Sequence, residues 1–180
     1  MDSRVIKTKK ALQEAYLRLR KSCGGEKIKI KDICQLANVN KTTFYHHYED
    51  LNALIEDTEN EAISQFLETF EAKNQLFSDP YRFISDLPIA LDSQKEILRP
   101  LFYEKPEKLV MLLEYHLKRM YPEYLQTEQG TVLLTFMLGG TFHTLYAMKK
   151  DHNSDDEQLA RYMARILEGL ISGLNQTDVQ

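Results

Sequence analysis

Glycine and proline are scarce, seven and five in 180 residues, which leaves few points at which a helix must break. No alternating apolar and polar pattern of useful length occurs, so no sheet is expected. No run of 18 or more apolar residues occurs either, which excludes a membrane-spanning helix. The start, MDSRVIKTKK, lacks an apolar signal core, so secretion by that route is not expected and the compartment is expected to be cytoplasmic. The two cysteines, Cys23 and Cys34, match no metal or redox spacing and are expected to be reduced thiols. Catalytic signatures are missing as well: no phosphate loop, no HExxH and no nucleophile elbow. The five histidines show no ligand spacing; the one adjacent pair, His46-His47, would diverge by about 100° on a helix. The chain is therefore expected to be neither an enzyme nor a holder of a metal or cofactor.

What is there is a core-forming composition, 43% hydrophobic, with an uneven charge. Residues 1–48 carry eleven Lys or Arg against four acids, a surplus of seven, while the chain as a whole carries −4. A basic end on an acidic body suits a chain whose one end faces a polyanion. A solvated basic face is the plain alternative.

Apolar residues recur at helical spacing almost throughout, so the chain is expected to be all-α. A first helix runs from about Ser3 to Ser22 with Val5, Leu12, Ala15, Tyr16 and Leu19 on one face, stopped by Gly24-Gly25. A long helix starts near Asp50 or Leu51, its stripe formed by Leu54, Ile55, Thr58, Ala62, Ile63, Phe66 and Phe70. Asp79-Pro80 and Lys105-Pro106-Glu107 open further helices, Ser93-x-x-Glu96 reads as a capping box, and Pro100 should kink or end its segment. Two long helices close the chain, about Glu128 to Lys150 and, after the box Ser154-x-x-Glu157, about Asp155 to Leu174.

Residues 28–48 read IKIKDICQLANVNKTTFYHHY. Ile30, Ile33, Cys34 and Ala37 mark one face of a short helix, and Asn38-Val39 marks a tight turn because asparagine tolerates positive φ. Asn40 can cap a second short helix by accepting from the amide of Thr42 or Thr43. Two short helices so joined hold the second at a fixed angle, the geometry of a helix-turn-helix.

This segment resembles the DNA-binding domain of the TetR/AcrR (tetracycline repressor-like) family at Ile28, Ile30, Asp32, Ile33, Ala37, Val39, Thr43, Phe44, Tyr45 and His47, with Tyr48 where phenylalanine is usual. The resemblance covers residues 1 to about 70. It implies a three-helix DNA-binding domain at 1–50 and a helical ligand-binding and dimerisation domain at 51–180, with 51–72 a connecting long helix. It also implies a ligand-responsive repressor binding a palindromic operator as a homodimer. The alternative is a co-regulator of the same fold that acts through protein contacts, with weak or no direct DNA binding.

The DNA-binding set implied is Lys29, Asn40, Lys41, Thr42, Thr43, Tyr45, His46 and His47. Lys41 and Thr42 fall at base-facing positions, Thr43 and Tyr45 at phosphate positions, and His46 on the same side; Tyr45 and His47 could instead pack between helices. The chain departs from the pattern at Lys29, where a threonine or serine cap is usual, at Cys34 in place of alanine, and at Leu51 in place of a phosphate-binding lysine. Glu49 and Asp50 add negative charge beside the same face, so backbone contact is expected to be weaker or differently placed.

For the body, a dimer interface is expected at Phe136, Gly140, His143, Tyr162, Met163, Ile166, Leu167, Leu170, Ile171 and Leu174, pairing two helices from each chain. A small-molecule effector would meet Phe102, Tyr103, Met111, Tyr115, His116, Met137, His143 and Tyr146, large residues with scattered polar tips. Ordinary core packing is the alternative for each.

Overall fold

A computed structural model describes residues 3–23, 28–125, 127–150 and 156–176. Among these the regular structure is helical throughout, with no strand, and no helix is long and apolar enough to cross a membrane. Gly24, Gly25, Asn153 and Ser154, expected to punctuate the chain, lie outside the described residues.

The chain divides into two compact units, one of residues 1–62 with 95–105, the other of residues 63–94 with 106–180. In the first unit, α1 (Ser3–Cys23) packs against α2 (Ile30–Leu36), α3 (Lys41–His47) and the later α6 (Lys95–Phe102). Leu12 and, one helical turn on, Ala15 and Tyr16 are buried from α1; Ile33 and Cys34 are buried from α2, Phe44 from α3, and Leu98, Leu101 and Phe102 from α6. Pro100 does not stop α6, which runs two residues further. Lacking an amide hydrogen, Pro100 leaves the Glu96 carbonyl without its i+4 donor, and α6 ends within the same turn.

Helix α4 (Leu51–Thr69) is capped by Asp50, whose side chain accepts from the Ala53 amide at 2.8 Å. It ends at Thr69, short of the expected residue 72, because Phe70 turns extended and buries its ring. Phe70 there stacks on Phe66 at 5.7 Å between centroids and meets Phe83 edge-on at 5.2 Å. A 3₁₀ turn at Glu71–Gln75 follows.

In the second unit, α5 (Pro80–Ser93) starts as expected: Asp79 accepts from the Arg82 amide at 3.1 Å. Ser93 corrects the expected capping box. It is the last residue of α5, and its hydroxyl donates to the Ala90 carbonyl at 2.7 Å instead of facing the next helix. The helices α7 (Pro106–Met120), α8 (Pro122–Leu125), α9 (Glu128–Lys150) and α10 (Asp156–Gln176) complete the unit. There α10 packs on α5 and α9, and α9 on α7 and α8. Leu113, Leu117, Leu134, Met137, Met163 and Leu167 are among the side chains buried from these helices.

Candidate nucleic-acid interface

The turn after α2 is built by its backbone. Asn38 takes φ 53°, the left-handed conformation that asparagine adopts at low cost. Two hydrogen bonds close it, Asn38 amide to Gln35 carbonyl at 3.3 Å and Val39 amide to Cys34 carbonyl at 2.9 Å. This is the pairing of a Schellman cap, which satisfies the last carbonyls of α2 and turns the chain sharply. Asn40 then caps α3: its side-chain oxygen accepts from the Thr43 amide at 2.7 Å and from the Thr43 hydroxyl at 2.9 Å. Lys29, at the other end of α2, makes no side-chain cap; only its carbonyl is used, by the Asp32 and Ile33 amides.

This local geometry sorts α3 into two faces. Phe44 is fully buried and makes edge contact with Tyr45. Lys41, Thr42 and His46 are exposed and Tyr45 is 55% exposed, so Tyr45 is not packed between helices within the chain. Thr43 and His47 are half-buried. The Thr43 proton is committed to Asn40, so a phosphate at Thr43 would have to compete for it. Lys29 and Asn40 are exposed beside the turn.

Tyr48 ends α3, its amide bonded to the Phe44 carbonyl at 2.9 Å. Its hydroxyl donates to Asp57 on α4 at 2.6 Å, and the same carboxylate oxygen accepts from Lys9 and Gln13 of α1, each at 3.1 Å. The Lys9 ammonium also lies 5.1 Å from the Tyr48 ring centre. One acid thus joins α1, α4 and the end of α3. Burial, and then the hydrogen bond and charge of Asp57, push the Tyr48 hydroxyl well above the ordinary phenol range, so it stays a donor. Burial first, then the charges of His46 and Lys9, hold the His47 imidazole below its ordinary value, favouring the neutral ring. Burial raises the Cys34 thiol against the opposing pull of Lys41; this is an inert, packed cysteine.

The residues expected around an effector divide between the two units and, within them, between buried and exposed positions. Phe102 is buried in the first unit and Tyr103 projects from it, 72% exposed. In the second unit Met137 is buried and His116 half-buried, while Met111, 66% exposed, with Tyr115 and His143, faces outward. On α7, Met111 and Tyr115 lie about 200° round the helix from the buried Leu113 and Leu117. The side chain of Tyr146 lies outside the described residues. The second unit does hold buried polar atoms without a hydrogen-bond partner: Gln75 Oε1, Ser85 Oγ and His116 Nε2.

The expected interface residues divide between two faces. Met163 and Leu167 are buried within the chain, Leu170 and Ile171 are half-buried, and Phe136, Gly140, His143, Tyr162 and Ile166 are exposed. The side chain of Leu174 lies outside the described residues. Val132, Phe136, Leu170 and Gly173 line a groove of about 470 Å³ on this unit. A methyl group added at Gly139 or Gly140 would meet nothing within 4 Å.

Sequence reasoning missed Lys9, Gln13, Tyr48 and Asp57 as a set, since they come from three separate stretches of chain. The one available signal was Tyr48, a tyrosine where phenylalanine is usual. Among the described residues, no three His, Cys, Asp or Glu side chains converge as a metal site would require. No family model and no curated protein sequence matches the chain.

Proposed function

We propose that this chain is a DNA-binding transcriptional regulator, a cytoplasmic homodimer that reads a palindromic operator through a helix-turn-helix formed by α2 and α3. One observation carries the reading: Lys41, Thr42, Tyr45 and His46 project outward along α3 while Phe44 anchors its opposite side, in a segment seven charges positive. Phosphate contacts from such a surface set orientation and affinity, and base-edge contacts from the first turn read sequence. The resemblance at residues 28–48 points the same way.

The homodimer reading draws on the exposed apolar side chains Val132, Phe136, Tyr162 and Ile166 of α9 and α10, since monomers rarely expose large apolar patches. Gly139 and Gly140 cost a helix roughly 1 kcal/mol each, and among the described residues nothing lies within 4 Å of a methyl group added at either. Paired recognition helices would sit about 34 to 36 Å apart on DNA. Effector binding draws on Gln75 Oε1, Ser85 Oγ and His116 Nε2; buried polar atoms without partners cost stability, which a polar ligand would offset.

The test is a gel shift with the DNA upstream of the protein's own gene, repeated across salt concentrations. Binding should weaken steeply as salt rises. Lys41→Ala, at a base-facing position, should cost about 1–3 kcal/mol of affinity and relax specificity at the base pair it meets. Tyr45→Ala should weaken binding while leaving the melting temperature unchanged. If no fragment from the neighbourhood binds at low salt, the DNA reading is wrong and a co-regulator acting through protein contacts takes its place.

A further inference from the structure

Helices α1 and α6 border a cleft of about 370 Å³, within the size range of small-molecule sites. Arg20, in the last turn of α1, ties the two helices together. Its Nε donates to the Pro100 carbonyl and its Nη2 to the Glu104 carboxylate, both at 2.8 Å. Pro100 lies in the last turn of α6, where carbonyls lack intrahelical partners, so Arg20 serves as a cap. Next to it, Lys21 lies 3.3 Å from Glu96. The carboxylates of the cleft therefore already face cations of α1.

The rest of the lining is a stripe. Lys95, Arg99 and Tyr103 follow four residues apart, which stacks them along one side of α6 and the residue just after it. The Arg99 guanidinium lies 5.3 Å from the Tyr103 ring centre, and that ring is open to solvent. Around the cleft stand Arg20, Lys21, Lys95 and Arg99 with Glu96 and Glu104. A guanidinium suits a carboxylate through two parallel hydrogen bonds, and an exposed tyrosine face suits a second flat ring.

We propose that this cleft binds a small aromatic carboxylate, its acid group on Arg99 and its ring on Tyr103. A non-aromatic anion gains only the charge, and a neutral arene only the ring contact. The site stands on the cleft alone and would hold in a chain that binds no DNA.

The test is calorimetric titration of the full chain with benzoate at low salt, with cyclohexanecarboxylate, benzamide and inorganic phosphate as comparison probes. The same titrations are run on Arg99→Gln and Tyr103→Leu, with circular dichroism to confirm the fold; both side chains are exposed. Benzoate should saturate a single site per chain, bind tighter than each comparison probe, and weaken at least about tenfold in Arg99→Gln. Tyr103→Leu should narrow the preference for benzoate over cyclohexanecarboxylate. Absence of saturable benzoate binding overturns the proposal, and so does binding untouched by Arg99→Gln, which would place the ligand elsewhere. Phosphate or cyclohexanecarboxylate binding as tightly as benzoate overturns the aromatic assignment.

Discussion

The Tyr48 hydroxyl and the Asp57 carboxylate, 2.6 Å apart, join the end of α3 to α4. Tyr48→Phe keeps the buried ring and deletes only this donor, so about 1.5–3 kcal/mol of stability should be lost, the range for a bond to a charged group. Asp57→Asn should cost a similar amount, because Lys9 and Gln13 share the same oxygen. Urea unfolding of the double variant should show less than the sum of the singles, since the partners are coupled. Additive losses would show that the pair does not interact.

The turn at Asn38 makes an opposite pair of predictions. Asn38→Gly should leave stability within about 0.5 kcal/mol, whereas Asn38→Val should cost about 1–2 kcal/mol, because a β-branched residue resists the left-handed conformation. Equal midpoints for the two variants would contradict the positive φ observed here.

Ile166 and Leu167 are adjacent on α10, about 100° apart round the helix, yet 61% and 3% exposed. Ile166→Glu should leave the chain folded and raise the dissociation constant of the proposed dimer at least about hundredfold, as a charge would enter an apolar seam. Leu167→Glu should instead lower the stability of the chain itself by at least about 3 kcal/mol. Sedimentation equilibrium separates the outcomes, and an intact dimer in Ile166→Glu would remove this face from the interface.

Stability should fall on acidification through the histidines. The imidazoles of His47 and His116 are both held below the unfolded value of 6.5, in each case mainly by burial. Between the folded and unfolded values the unfolded chain binds more protons, so stability is full above 6.5 and is lost as pH drops below it. Denaturation measured between about pH 7.5 and pH 5.5 should show this loss, and His116→Gln should reduce it. An unchanged slope in that variant would mean His116 titrates normally in the folded chain.

The turn and cap around Asn38 and Asn40 were legible in the sequence because they depend on residues at most five apart, whose backbone preferences and short side chains decide the outcome alone. Asp57 was not. Its donors lie nine, 44 and 48 residues away, and an acid on the polar side of a helix reads as solvated until its neighbours are known. Ser93 failed in the opposite sense: the spacing of a capping box was present, but α5 runs through Ser93 and α6 starts only at Lys95, so Ser93 does not precede a helix as a cap must.

The same division holds for the whole chain. Periodicity and local turn chemistry determined by themselves that it is helical, where most of its helices start, and how α3 shows one face and hides the other. Only tertiary packing decided that α6 belongs with the N-terminal helices and that the stripe on α10 divides between an inward and an outward face. The physical reason is that an apolar side chain carries no record of its partner: its burial is set by whichever surface comes to lie against it, and that surface comes from a distant part of the chain.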